Sequence, residues 1–173
     1  MIRYCTQCWT QNEYEATVCK RCGASLDDGN KDYVTRLMEA IEHPEPTSAA
    51  FAIEVLGRYL GESRAVKAII TRMERNPDSM DVTVAAAEAL GAVGDPRAIP
   101  ALSALLMNPG RPLPARLAAA EALAQFEEDE ARQGLSSALD LPQLPRILRR
   151  SIANALAPHP EQWTDKEVRR GRQ

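Results

Sequence analysis

Cys5, Cys8, Cys19 and Cys22 are the only cysteines in this chain, and all four fall within its first 22 residues. Their pattern is C-x2-C-x10-C-x2-C. A two-residue spacer lets one tight turn present both thiolates to the same side. Two such turns facing each other place four sulfurs at tetrahedral positions around one ion. The chemistry this implies is metal binding, with one zinc ion per chain. Because all four positions are filled by protein thiolates, no place is left for water or substrate, so the expected metal is structural rather than catalytic. Three competing readings use the same residues: two disulfides, a redox-active C-x-x-C, and iron in a four-thiolate site.

A segment of about 25 residues cannot bury enough surface to fold alone. Zinc binding supplies roughly 10–16 kcal/mol at neutral pH, enough to hold such a segment folded. The intervening "WTQNEYEATV" has the length of a short hairpin that returns one cysteine turn to the other. Gly23 directly follows Cys22, where a residue free to take positive φ relieves crowding, whereas Trp9 holds the matching place after Cys8. Tyr4, Trp9 and Tyr14 are expected to form the segment's own small core, the alternative being a contact surface for a partner. With "CKRCGASL" at its second turn, the stretch 3–26 resembles the short zinc-ribbon family.

Elsewhere the chain offers few groups for chemistry. Its two histidines, His43 and His159, each precede a proline, and both read as solvated turn residues. No cysteine is left over as a nucleophile, no glycine-rich phosphate loop exists, and no carboxylate pair is marked by its surroundings. The run "EEDE" at 127–130 reads as a solvated turn whose carboxylates favour a helix start. The expectation is therefore a chain that is not an enzyme.

These residues need elements to position them, and composition bounds what those are. The chain has 173 residues, 45% of them hydrophobic and 26% charged, which suits one ordinary domain plus a small appendage. Two Trp, four Tyr and two Phe are few against abundant alanine, favouring closely packed helices over a β-sandwich. A net charge of −3 gives no overall attraction to nucleic acid or anionic lipid. Residues 81–140 carry four basic and nine acidic side chains, residues 141–173 seven basic and three acidic. The first twenty residues hold Arg3, Glu13 and Glu15 and no apolar run, so no signal peptide is expected. No stretch is apolar for long enough to span a bilayer. A cytoplasmic location is the expectation, and in a reducing compartment paired cysteines favour metal over disulfide.

Past residues 26–31, "LDDGNK", the chain repeats itself: "AIEVLG" at 52–57, "AAEALG" at 86–91, "AAEALA" at 119–124 and "IANALA" at 152–157. Between Leu56, Leu90, Leu123 and Leu156 the steps are 34, 33 and 33. A fixed period of this size signals stacked helical hairpins. In the second unit a first helix is expected over about Val82–Val93, ended by Gly94, and Asp95-Pro96 then caps the second helix. Ile99, Leu102 and Leu106 share one face of that helix, matched by Val66, Ile69 and Met73 before it and by Leu135 and Leu139 after it. Pro100 predicts a slight kink. Ahead of the first unit, Tyr33, Leu37, Met38 and Ile41 fall at helical spacing, as expected for an orphan second helix capping the stack.

"AAEALGAVGDPRAIPALSALL" resembles the HEAT-like repeats named for the phycobilisome lyases, a likeness covering residues 31–157. The resemblance implies an all-α fold: an α-solenoid of HEAT-like helical hairpins with a small N-terminal zinc ribbon. It also implies that second helices line a concave face, and Arg116 and Arg149 match a basic position of structural or surface role that Ala49 and Thr83 lack. The expected organisation is a zinc ribbon at 1–26, a linker at 27–31, the solenoid at 32–160 and a basic C-terminal helix or tail at 161–173. The expected function is a non-catalytic protein-interaction scaffold, its partner surface including Arg64, Lys67, Arg97, Arg132, Arg149 and Arg150. Two alternatives accompany it. Basic residues in "PRILRR" (145–150) and "KEVRRGRQ" (166–173) suit a nucleic-acid-associated protein, although no continuous basic stripe follows Arg64, Lys67, Arg72 and Arg75 into the next units. The resemblance itself implies a bilin lyase-like subunit.

Overall fold

The repeated leucines end up where the period puts them. In the computed structural model of the chain, which describes residues 2–27, 29, 31–75 and 79–157, Leu56, Leu90 and Leu123 are fully buried. Leu156, at the far end, is half-buried against the same core. His159 and the basic residues of 166–173 lie outside the described residues.

Two short antiparallel strands open the chain, β1 (Ile2–Tyr4) and β2 (Gln11–Glu13), with Arg3 opposite Asn12. Among the described residues eight α-helices follow: α1 (Tyr33–Ala40), α2 (Pro46–Glu54), α3 (Val66–Glu74), α4 (Met80–Val93), α5 (Ile99–Met107), α6 (Leu113–Leu123), α7 (Asp129–Leu139) and α8 (Arg146–Leu156). First helices pack in the order α2, α4, α6, α8, and second helices α3, α5, α7 pack alongside them. One continuous core runs between the two rows from Leu37 to Ile152. The chain is thus an α-solenoid of helical hairpins with a small cysteine-bearing segment at its N-terminus.

Local chemistry explains where each helix starts and stops. Asp32 begins α1 by accepting from the Thr35 backbone N–H at 2.9 Å. Glu45 begins α2 by accepting from the N–H groups of Thr47 and Ser48, with Pro46 in the first turn. Gly94 ends α4 in the left-handed region at φ 67°. Asp95 then accepts from the Arg97 N–H and opens a 3-10 turn, Pro96–Ala98, that leads into α5. Pro100 sits in the first turn of α5, where its missing N–H has no partner to lose, so the expected kink is replaced by a change of helical pitch before it.

The 34-residue first step also has a local cause. After α2 the backbone widens into a π-helix over Val55–Tyr59, in which the Leu60 N–H donates to the Val55 carbonyl at 3.1 Å. Gly61 lies five positions after Leu56, whereas Gly94 lies four after Leu90. Both glycines nevertheless end their helices in the left-handed region, at φ 57° and 67°. The π turn absorbs the surplus residue.

A row of arginines ties the hairpins together. Carbonyls at the last turn of successive second helices each accept from a guanidinium: Ile41 from Arg72 at 3.1 Å, Met73 from Arg111 at 2.8 Å, Leu106 from Arg116 at 2.9 Å and Leu139 from Arg149 at 3.3 Å. A cation at a helix C-terminus satisfies an orphan carbonyl and complements the helix dipole. Thr83 stands where Arg116 and Arg149 stand in later units and is too short to reach. Arg111, from the next loop, takes the place instead and also reaches the Thr83 hydroxyl at 3.3 Å.

Candidate metal centre and repeat surface

The four cysteine sulfurs lie within 4.8 Å of one another. Cys5 and Cys22 Sγ are 3.6 Å apart, as are Cys8 and Cys19 Sγ. A tetrahedral site with metal–sulfur bonds of about 2.3 Å sets its sulfurs about 3.8 Å apart, so the cluster has the size a four-thiolate metal ion requires. All four thiols are free.

Each C-x-x-C turn is built alike. The Trp9 N–H donates to the Cys5 carbonyl at 2.7 Å, and the Gly23 N–H donates to the Cys19 carbonyl at 2.9 Å. Both closing residues take positive φ, 55° for Trp9 and 71° for Gly23. The turn therefore imposes the left-handed conformation even on a tryptophan, at a cost of about 1–2 kcal/mol.

Electrostatics favour thiolates, up to a limit. The Cys22 backbone N–H and then the Arg21 N–H draw Cys19 down to about 6. Although the Ala24 N–H favours its thiolate, Cys22 faces the Cys8 and Cys5 thiols and is pushed up to about 12. Four thiolates crowd too much negative charge into one place without a cation among them. Asn12, a residue the cysteine spacing does not flag, locks the arrangement. Buried on β2, it donates to the Thr10 carbonyl at 2.6 Å and to Cys19 Sγ at 3.7 Å, and accepts from the Lys20 N–H at 3.0 Å.

The small core around this cluster is Cys5, Cys19 and Leu26, with Cys8, Ala16 and Ala24 against it. The expected aromatic core is not what forms. Tyr14 is 60% exposed, while Tyr4 and Trp9 turn toward the helical repeats and meet His43 edge-on, ring centroids 4.7 and 5.2 Å away. His43, expected as a solvated turn residue, is instead gripped by two rings.

Two of the basic residues expected on a partner surface are held within their own turns. Arg64 pairs with Glu62 at 2.7 Å and Arg97 with Asp95 at 2.6 Å, each within its own turn. Arg97 also donates to the Ser63 carbonyl at 3.2 Å, linking the two turns. Arg149 holds the Leu139 carbonyl, while Lys67, Arg132 and Arg150 are exposed on α3, α7 and α8. Arg132 occupies the repeat position of Val66 and Ile99 yet points its charge outward, leaving Ala131 and Leu135 to fill the core.

Comparison with known proteins matches this architecture. Residues 34–115 match the family model for HEAT repeats, and residues 115–140 match the PBS lyase HEAT-like repeat. A similar solved structure is the complex of CpcE and CpcF of phycocyanin lyase from Nostoc sp. PCC7120, with a TM-score of 0.59 and 23% sequence identity. The likeness covers 77% of this chain and 56% of that one, so this chain spans little more than half its relative's length. No curated protein matches the chain.

These findings correct the expectation of a chain that is not an enzyme. The finding that overturns it is the match of residues 115–140 to the PBS lyase HEAT-like repeat. Among the described residues no helix is long and apolar enough to cross a membrane.

Proposed function

We propose that the chain serves in a lyase-type role, as a helical-repeat subunit that handles a bilin during its attachment to an acceptor protein. The observation that carries this reading is the PBS lyase HEAT-like repeat on α6 and α7, within a fold shared with a chain of a phycocyanin lyase complex. A protein partner belongs to the reading, because that similar structure is a complex of two different subunits.

Two depressions on the repeats support the need for a second surface. One, of about 120 Å³ between α3 and α5, has Met73, Ala101 and Leu105 with Arg111 at its edge. It falls well short of the roughly 300–1,000 Å³ that small-molecule sites occupy. The other, of about 370 Å³ over α4, carries Glu54, Asp81 and Glu88, the wrong sign for a pigment bearing two propionates. Among the described residues, neither of these two depressions suits a linear tetrapyrrole by both size and charge, which fits a site shared with a partner.

The ribbon's metal is read as one structural zinc per chain, held by Cys5, Cys8, Cys19 and Cys22. The four-thiolate donor set and its spacing support this, and a reducing, cytoplasmic setting suits free thiols.

The test is spectroscopic. Free bilin is added to the chain alone and to the chain with partners captured from host lysate. A sharpened, shifted visible band that saturates supports the reading, and an unchanged bilin spectrum in both mixtures overturns it.

A further inference from the structure

The grip on His43 joins two parts of the chain that sequence periodicity treats separately. On one side, Tyr4 ends β1 directly before Cys5, and Trp9 directly follows Cys8. The conformation of Trp9 is set by the cysteine turn itself, through its N–H bond to the Cys5 carbonyl at 2.7 Å and its φ of 55°. On the other side, His43 lies in the joint between α1 and α2. Its Nδ1 accepts from the Glu45 N–H at 3.0 Å, and the Glu45 carboxylate caps α2 through Thr47 and Ser48 at 3.0 and 2.6 Å. The joint is also braced from behind, since Arg72 on α3 donates to the Ile41 carbonyl and Arg75 pairs with Glu42 at 2.6 Å.

We infer that metal loading of the four-cysteine site clamps the N-terminal segment onto the α1–α2 joint through Tyr4, Trp9 and His43. The ribbon and the first repeat then present one composite surface only in the metal-bound protein. The physical chain is short. A segment of this size cannot hold its fold without the ion. Loss of the ion releases the Cys5–Trp9 turn, and with it both rings leave His43. Lys31 is tied to α1 by its ion pair with Glu39 at 2.7 Å. The helices beyond α2 keep their own core and are unaffected.

The inference rests on the metal reading above, and hydrogen exchange on the full chain separates the two. The chain is compared zinc-loaded, chelator-treated, and zinc-loaded with His43→Ala. An edge-on ring pair accounts for roughly a two- to twelvefold change in an opening equilibrium. Chelation is expected to speed exchange across residues 41–49 by at least that factor, while residues 99–107 stay as they were. His43→Ala should still bind one zinc and keep slow exchange in the cysteine turns, yet show the same faster exchange at 45–49. If zinc binds but neither chelation nor His43→Ala changes exchange at 41–49, the clamp is overturned and the metal reading stands. If no metal binds, the metal reading and the clamp fall together.

Discussion

Gly91 on α4 lies so close to Ala122 on α6 that a Cβ built on the glycine would stand 2.8 Å from the alanine Cβ and 2.9 Å from its Cα. One unit earlier, a Cβ built on Gly57 would stand closer still to the Cβ and Cα of Ala89. At these two crossings a glycine thus faces an alanine, and a Cβ on the glycine would run into the facing backbone.

Alanine at either glycine has a propensity advantage of about 1 kcal/mol in a helix. The atoms in the way are backbone, however, and overpacking costs about 1–3 kcal/mol. Gly57→Ala and Gly91→Ala should therefore both lower the urea midpoint, Gly57→Ala more. Gly134→Ala serves as the control. A Cβ added there would meet the Ser103 hydroxyl first, which can rotate away, so its midpoint should hold or rise.

The arginine row makes a graded prediction. Arg116 is buried, and burial pulls its pKa below the usual arginine range, yet its Nε holds the Leu106 carbonyl. Arg116→Ala leaves that carbonyl unpaired, at a cost of about 1–3 kcal/mol. Arg149→Ala, exposed at the equivalent position, should cost well under half as much. Denaturant titration of both variants checks the order, and equal losses would refute the capping account.

Acid should loosen the start of α2. The Ser48 hydroxyl first, then that of Thr47 and their backbone N–H groups, hold the Glu45 carboxyl down to about 2, from 4.5. A depressed folded-state pKa stabilises above the unfolded value and is lost as pH falls toward the folded one. Stability should thus decline between about 4.5 and about 2, and Glu45→Gln should flatten part of that slope. Thermal melts of both proteins across the window measure it.

Metal removal should divide the chain's response. Elemental analysis is expected to return one zinc per chain. Cys5→Ser should abolish it and lose order across 2–26, while far-UV circular dichroism keeps nearly all its helical signal, because α1–α8 share no core residue with the cysteine cluster.

Much of this was legible in local patterns. The leucine interval placed the core of the first-helix row, residues such as Ile69, Leu102 and Leu135 that of the second, and Asp95-Pro96 and Gly94 marked a boundary that the backbone obeys. The cysteine spacing located four sulfurs that meet. What escaped was contact between segments with no shared period. Nothing in the sequence ties Tyr4 and Trp9 to His43. The gap that Thr83 leaves in the arginine row is visible by alignment of the units, but its filling by Arg111 depends on a loop's path. Arg64 and Arg97 looked free because charge alone does not reveal Glu62 and Asp95 two residues upstream as their partners.

The π turn at Val55–Tyr59 has a consequence for how such a chain can vary. Each hairpin inherits its orientation from the one before, so an uncorrected single-residue insertion would rotate everything downstream by about 100°. By swelling one turn, the helix quarantines the error where it arose. A lineage carrying this device can gain or drop a residue there without recutting any later interface.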